Sequence, residues 1–166
     1  MVWKPDVTVA AVVEEDGRFL LVEERVSSAL VFNQPAGHVE AGETLLQAVV
    51  REALEETAWH FSPEFFLGIY LWKRPERPRS FLRVAFGGKV THHDPLRPLD
   101  RGIRRTVWFT REQIEERRTR LRSPMVLRCI DDYTAGRRYP LEALQHIDFT
   151  ESSPKILAQP SPGIQS

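Results

Sequence analysis

Residues 37–59, GHVEAGETLLQAVVREALEETAW, decide the reading of this chain. Thr44 and Gln47 have the T-x-x-Q spacing at which a hydroxyl and an amide side chain each satisfy a backbone group near the other, a capping box. That predicts a helix over Leu45–Thr57. At 3.6 residues per turn, Glu52, Glu55 and Glu56 share a stripe no wider than about 100°. Like charges so spaced cost about 0.2–0.5 kcal/mol per pair, and no Lys or Arg stands four residues either side of Glu56. Leu46, Val50, Ala53 and Leu54 form one apolar face, while Leu45, Ala48 and Val49 lie on the glutamates' side. The helix is therefore expected to be enclosed on more than one side. Three carboxylates at the end of an enclosed helix are costly unless a cation joins them. An all-oxygen donor set of this kind suits Mg²⁺, with Mn²⁺ as the alternative. The competing reading is a solvated acidic face.

Upstream, Gly37 and Gly42 bracket a tight loop entering the helix, where glycine lets the backbone approach a metal or a phosphate closely. Glu43 and Arg51 stand at opposite ends of the first two turns. An ion pair between them would clamp the loop and hold neighbouring Glu52 in position.

The chain has 166 residues, with 23 Lys and Arg against 23 Asp and Glu. A net charge of zero carries no global basic field and argues against a general binder of nucleic acid or of membrane surfaces. The single cysteine, Cys129, excludes an internal disulfide and a cysteine-rich zinc site, and fits a reducing cytoplasm. The N-terminal residues lack the pattern of a secretory signal. Val7–Val13 and Phe19–Val22 read as strands joined by an Asp16-Gly17 hairpin turn. Phe65–Trp72, Phe81–Val90 and Thr106–Phe109 read as further strands, with KRPERPRS as an exposed connection between the first two. Thr110 and Gln113 repeat the capping box ahead of REQIEERRTRL, and Ser123-Pro124 is expected to start a helix that Gly136 closes. Strands, one helix, more strands, then helices indicate an α/β chain of the α+β type, with a mixed β-sheet sandwiched between helices. We expect one domain over residues 1–149 and a flexible tail over 150–166.

Gly37, Glu43, Arg51, Glu52, Glu55 and Glu56 match the box G-x5-E-x7-R-E-U-x-E-E-x-G-U, with Ala53 at its first aliphatic position, so the stretch resembles the catalytic loop-helix-loop of the Nudix hydrolases. Two positions depart: Ala58 stands for the glycine and Trp59 for the last aliphatic. A left-handed Ala58 costs about 1–2 kcal/mol but removes no chemical group. KPDVTVAAVV, FNQPAGH and LRSPMV…YTAGRRYPLEAL extend the resemblance to the NudJ-type bacterial phosphatases of that superfamily. The resemblance implies Mg²⁺-dependent hydrolysis of phosphoanhydrides, with Glu52, Glu55, Glu56 and the carbonyl of Ala36 as metal ligands and Arg51 and Glu43 completing the catalytic set. It further implies small-molecule substrates: nucleoside triphosphates, thiamine pyrophosphate or hydroxymethylpyrimidine pyrophosphate. Cleavage of ADP-ribose, a dinucleotide or an oxidised nucleotide is the alternative within the class. A non-catalytic nucleotide-binding regulator is the alternative outside it, disfavoured because the box glutamates are kept and there is no room for a second domain.

Asp100, in the loop before TVWF, is a candidate extra acid, against a solvated loop residue. His92, His93 and Asp94 are either a polar loop near the site or an exposed turn. Arg83 interrupts an apolar strand and is a substrate ligand if its face looks into the cleft; His38 and Arg25, and then Lys4, are further candidates. Phe32 or Trp72 could stack on a base, against the commoner reading of both as core. Tyr139 is expected to pack the C-terminal segment, and Cys129 to be buried and inert.

Overall fold

The computed structural model describes residues 2–73 and 79–147. Strand β1 (Asp6–Glu15) and β2 (Arg18–Val26) form the expected hairpin, with Asp16 and Gly17 both at positive φ, 50° and 76°. That pair of left-handed residues gives the turn a twist matching its strands. There follow β3 (Ala29–Asn33), β4 (Ala36–His38) and helix α1 (Leu45–Thr57), then β5 (Trp59–Lys73), β6 (Ser80–His93) and β7 (Ile103–Thr110), and finally helices α2 (Arg111–Glu116) and α3 (Met125–Thr134). The main path of the sheet is β3-β2-β1-β6-β5, with β4 paired to β1 and β7 to β2. Only β1 and β6 run parallel, so the sheet is mixed.

Strand β1 is buried from Thr8 to Val13, which explains its unbroken apolar run. Val9, Ala11 and Val13 pack with Ala48, Val49 and Ala53 of α1. Ala10 and Val12 point the other way, into a second cluster with Ile114 of α2 and Val126, Cys129 and Ile130 of α3. The sheet thus lies between α1 on one face and α2 and α3 on the other, an α+β arrangement. Cys129 is fully buried, and burial pushes its thiol up to about 11.

Both capping boxes form, at Thr44/Gln47 and at Thr110/Gln113. Other expectations need correction. Helix α2 ends at Glu116 and gives way to a 3-10 turn over Arg118–Arg120, so REQIEERRTRL is not one helix. Ser123 does not cap α3: Pro124 occupies the cap position and the buried Ser123 hydroxyl has no hydrogen-bond partner. Gly136, at φ 79°, closes α3 as expected. Its N–H donates to Tyr133 O at 3.0 Å while Arg137 N–H donates to Asp132 O at 3.1 Å, the two bonds of a Schellman end. His92 and His93 are not a loop but the end of β6, paired with His60 and Trp59. Strands β3 and β4 were not anticipated. Tyr139 exchanges backbone hydrogen bonds with Phe66 and packs on its ring, tying the C-terminal segment to β5. The KRPERPRS connection falls largely, and the 150–166 tail wholly, outside the described residues.

Candidate active site

Helix α1 turns its buried side, Ala48, Val49, Glu52, Ala53 and Glu56, toward the sheet, so two of the three glutamates lie on the enclosed face. The expected apolar face is buried at Ala53, while Leu46 and Val50 pack on the same core half-buried and Leu54 is half-buried as well. Strand β4 runs beside this face, carried there by its pairing with β1. Ala36 N–H donates to Glu56 Oε2 at 2.9 Å. A methyl placed on Gly37 would fall 2.1 Å from the Glu52 carboxylate, so only glycine leaves room for that side chain.

Arg51 is the hub of the entry loop. Its Nε and Nη2 donate to the two carboxylate oxygens of Glu43 at 3.0 and 2.7 Å, and Nη2 also reaches the His38 carbonyl at 2.9 Å. Nη1 donates to Glu52 at 2.9 Å and to Glu55 at 3.0 Å. The Glu43–Arg51 clamp anticipated from the spacing is therefore present as a bidentate pair. This guanidinium holds the Glu43 carboxyl below its ordinary range. Glu52 is held above that range by burial, which outweighs its bond to Arg51. Glu56, with no cation bonded to it among the described residues, is pushed up to about 9, first by burial and then by the negative charges of Glu52, Glu24 and Asp100.

Arg51, Glu52, Glu55 and Glu56 line a cleft of about 440 Å³. Asp100 joins it because its N–H donates to Glu55 O at 2.9 Å, docking the loop before β7 onto the end of α1. Arg83 forms the floor, 4% exposed, donating to Gln34 Oε1 at 2.8 Å and Asn33 Oδ1 at 3.1 Å. His38 lines the cleft from β4, and Trp72 and Phe81 form a stacked aromatic wall with centroids 5.9 Å apart. Arg25 and Lys4 are exposed and do not line it, nor do His92, His93 and Asp94; Phe32 is core. Sequence reasoning missed Glu24, Asn33, Gln34 and Arg122, all in or beneath the cleft.

The donor chemistry fits a hard divalent cation: carboxylates on an enclosed helix face, one of them buried among like charges. Among the described residues no three acidic, His or Cys side chains are gathered at ligand distance, because Arg51 Nη1 stands between Glu52 and Glu55.

A family model described as NUDIX domain matches residues 3–129. The chain belongs to the Nudix family. It is 42% identical over 142 residues to Phosphatase NudJ of Escherichia coli K12, covering 86% of this chain and 92% of that protein. A Nudix hydrolase from Nitrosomonas europaea superposes with a TM-score of 0.86 at 49% identity, covering 89% of this chain and all of that one. The Nudix domain of Shewanella oneidensis NrtR, solved with ADP-ribose, shares the fold alone, with a TM-score of 0.66 at 16% identity over 80% of this chain and 88% of that one. This Nudix chain is accordingly a hydrolase acting on phosphoanhydride bonds. Among its described residues no helix is long and apolar enough to cross a membrane.

Proposed function

We propose that this Nudix hydrolase depends on Mg²⁺ and removes the terminal phosphate from nucleoside triphosphates and from thiamine pyrophosphate or hydroxymethylpyrimidine pyrophosphate. The observation that carries the metal assignment is Glu56, buried near the charge of Glu52 with no cation bonded to it among the described residues. Likeness to the Escherichia coli phosphatase over most of both chains supports the choice of bond and substrate.

In this reading Glu52, Glu55 and Glu56, with the Ala36 carbonyl, would hold the cation, which supplies charge neutralisation at the phosphate oxygens and a bound water of lowered pKa. The chain's own work is to position these groups. The Ala36 N–H fixes one oxygen of Glu56. Arg51 orients Glu52 and Glu55 and ties the entry loop to the helix through Glu43. A cleft carboxylate, from α1 or Asp100, takes the proton of the attacking water. The Trp72–Phe81 wall suits the flat group carried by the phosphates.

The test is product analysis with Mg²⁺ and GTP, thiamine pyrophosphate, ADP-ribose or a dinucleotide. Orthophosphate from the first two supports the proposal. Turnover of ADP-ribose or the dinucleotide alone keeps the chemistry and overturns the substrate assignment.

A further inference from the structure

Among the described residues three arginines line the cleft, and two are already committed. Arg51 spends its donors on Glu43, Glu52, Glu55 and the His38 carbonyl. Arg83 is buried and spends both terminal nitrogens on Gln34 and Asn33, leaving only its buried Nε without a hydrogen-bond partner. Arg122 differs from both. Its side chain is 36% exposed, and among the described residues its carboxylate partner is Glu24, with Nε 3.6 Å from Oε1, too long for a hydrogen bond. Its main chain is fixed, because Arg122 N–H donates to Phe32 O at 2.8 Å where Leu121 bridges to the same strand. The result is a rigidly mounted arginine with a loosely held guanidinium.

Glu24 is a different kind of group. Asn33 Nδ2 donates to it at 3.2 Å, and Asn33 is itself held by Arg83, so a buried relay pins this carboxylate in the cleft within electrostatic reach of Glu56. Two hydroxyls that line the same cleft, Thr8 Oγ1 and Ser123 Oγ, are buried without a hydrogen-bond partner, and Ser123 adjoins Arg122. A polar group so placed is destabilising until something bonds it.

We propose that Arg122 is the cleft residue that binds a phosphoryl group of the substrate, exchanging its loose pairing with Glu24 for that contact. Glu24 then serves as its resting counter-charge, competing with the substrate for the guanidinium. The planar fork of arginine suits two phosphate oxygens at once. The inference deepens the phosphohydrolase reading and rests on it for the identity of the ligand.

The test measures binding of the Mg²⁺ complex of a non-hydrolysable imido analogue of GTP by calorimetry, beside steady-state release of phosphate from GTP. Arg122→Ala is expected to weaken analogue binding by about 10-fold or more, the loss of one charged hydrogen bond. It should raise KM in step, with kcat falling far less than kcat/KM. Arg122→Lys should recover part of the affinity, and Glu24→Gln should tighten analogue binding by freeing the arginine. Equal binding by wild type and Arg122→Ala, a fall in kcat at unchanged KM, or no analogue binding by wild type overturns the proposal. Analogue binding that needs Arg122, without phosphate release from GTP, would instead sink the phosphatase reading and leave this one standing.

Discussion

Replacing Glu56 by Gln should stabilise the metal-free protein while removing its activity. Glutamine keeps an oxygen for the Ala36 N–H but cannot ionise. In the folded chain Glu56 is pushed up to about 9 from its ordinary 4.5, so near neutral pH the native state holds a proton that the unfolded chain has released. Stability from this group is complete below about pH 4.5 and is lost as pH rises through about 9, at up to about 1.4 kcal/mol per pH unit. At pH 7.5, three units above 4.5, the limit is about 4 kcal/mol. Water entering the open cleft screens part of this, leaving about 2–4 kcal/mol, or roughly 4–16 °C in Tm. The assay is urea unfolding of both proteins with EDTA at about pH 5 and about pH 7.5. Glu56→Gln should lie within about 1 kcal/mol of wild type at the lower pH and exceed it by clearly more at the higher. A variant equal to or less stable than wild type at the higher pH, or a difference independent of pH, would refute the reasoning.

Gly37→Ala drives a methyl into the end of the flexible Glu52 side chain and not into backbone, so stability should change by less than about 1 kcal/mol. Phosphate release should nonetheless fall by about 100-fold, because one cleft carboxylate is displaced; retained activity in a folded variant would count against Glu52. Arg51→Ala should cost about 2–3 kcal/mol by urea unfolding, and Arg51→Lys should restore less than half, since an ammonium cannot span Glu43, Glu52 and Glu55 together. Ala58→Gly should leave stability within about 1 kcal/mol of wild type. Relief of a left-handed alanine, about 1–2 kcal/mol, is offset by loss of a buried methyl, about 0.8, and by greater freedom of the unfolded chain, about 0.4–1.

Local chemistry was readable from the sequence. The boundaries of α1, the Asp16-Gly17 turn, both capping boxes and the Glu43–Arg51 clamp are each set within a dozen residues, where spacing and donor count suffice. Ala58 took the left-handed conformation expected of the glycine it replaces, because the backbone bonds around it fix the turn: its N–H donates to Leu54 O, and Asp94 N–H donates to its carbonyl. The far wall of the cleft was not readable. Arg122 reaches it only through a backbone bond to Phe32, and Glu24 is aimed by Asn33 and Arg83, residues 9 and 59 positions away. Ser123 misled because Ser-Pro is a common helix start, whereas its hydroxyl lies buried beside the cleft. The buried face of α1 was readable only in part: Ala53 is buried as expected and Leu46 and Val50 pack half-buried on the same core, but the deepest positions also include Ala48 and Val49, on the side that carries Glu52 and Glu56.

The most direct measurement is a Mn²⁺ titration, read by loss of the free-ion electron paramagnetic resonance signal, of wild type and of Glu56→Gln in competition with Mg²⁺. Wild type should bind Mn²⁺ saturably and release it to Mg²⁺, and the variant should bind about 10-fold or more weakly. Equal affinity in the two proteins, or no binding by wild type at concentrations that support phosphate release, would contradict the assignment of the cation to the α1 glutamates.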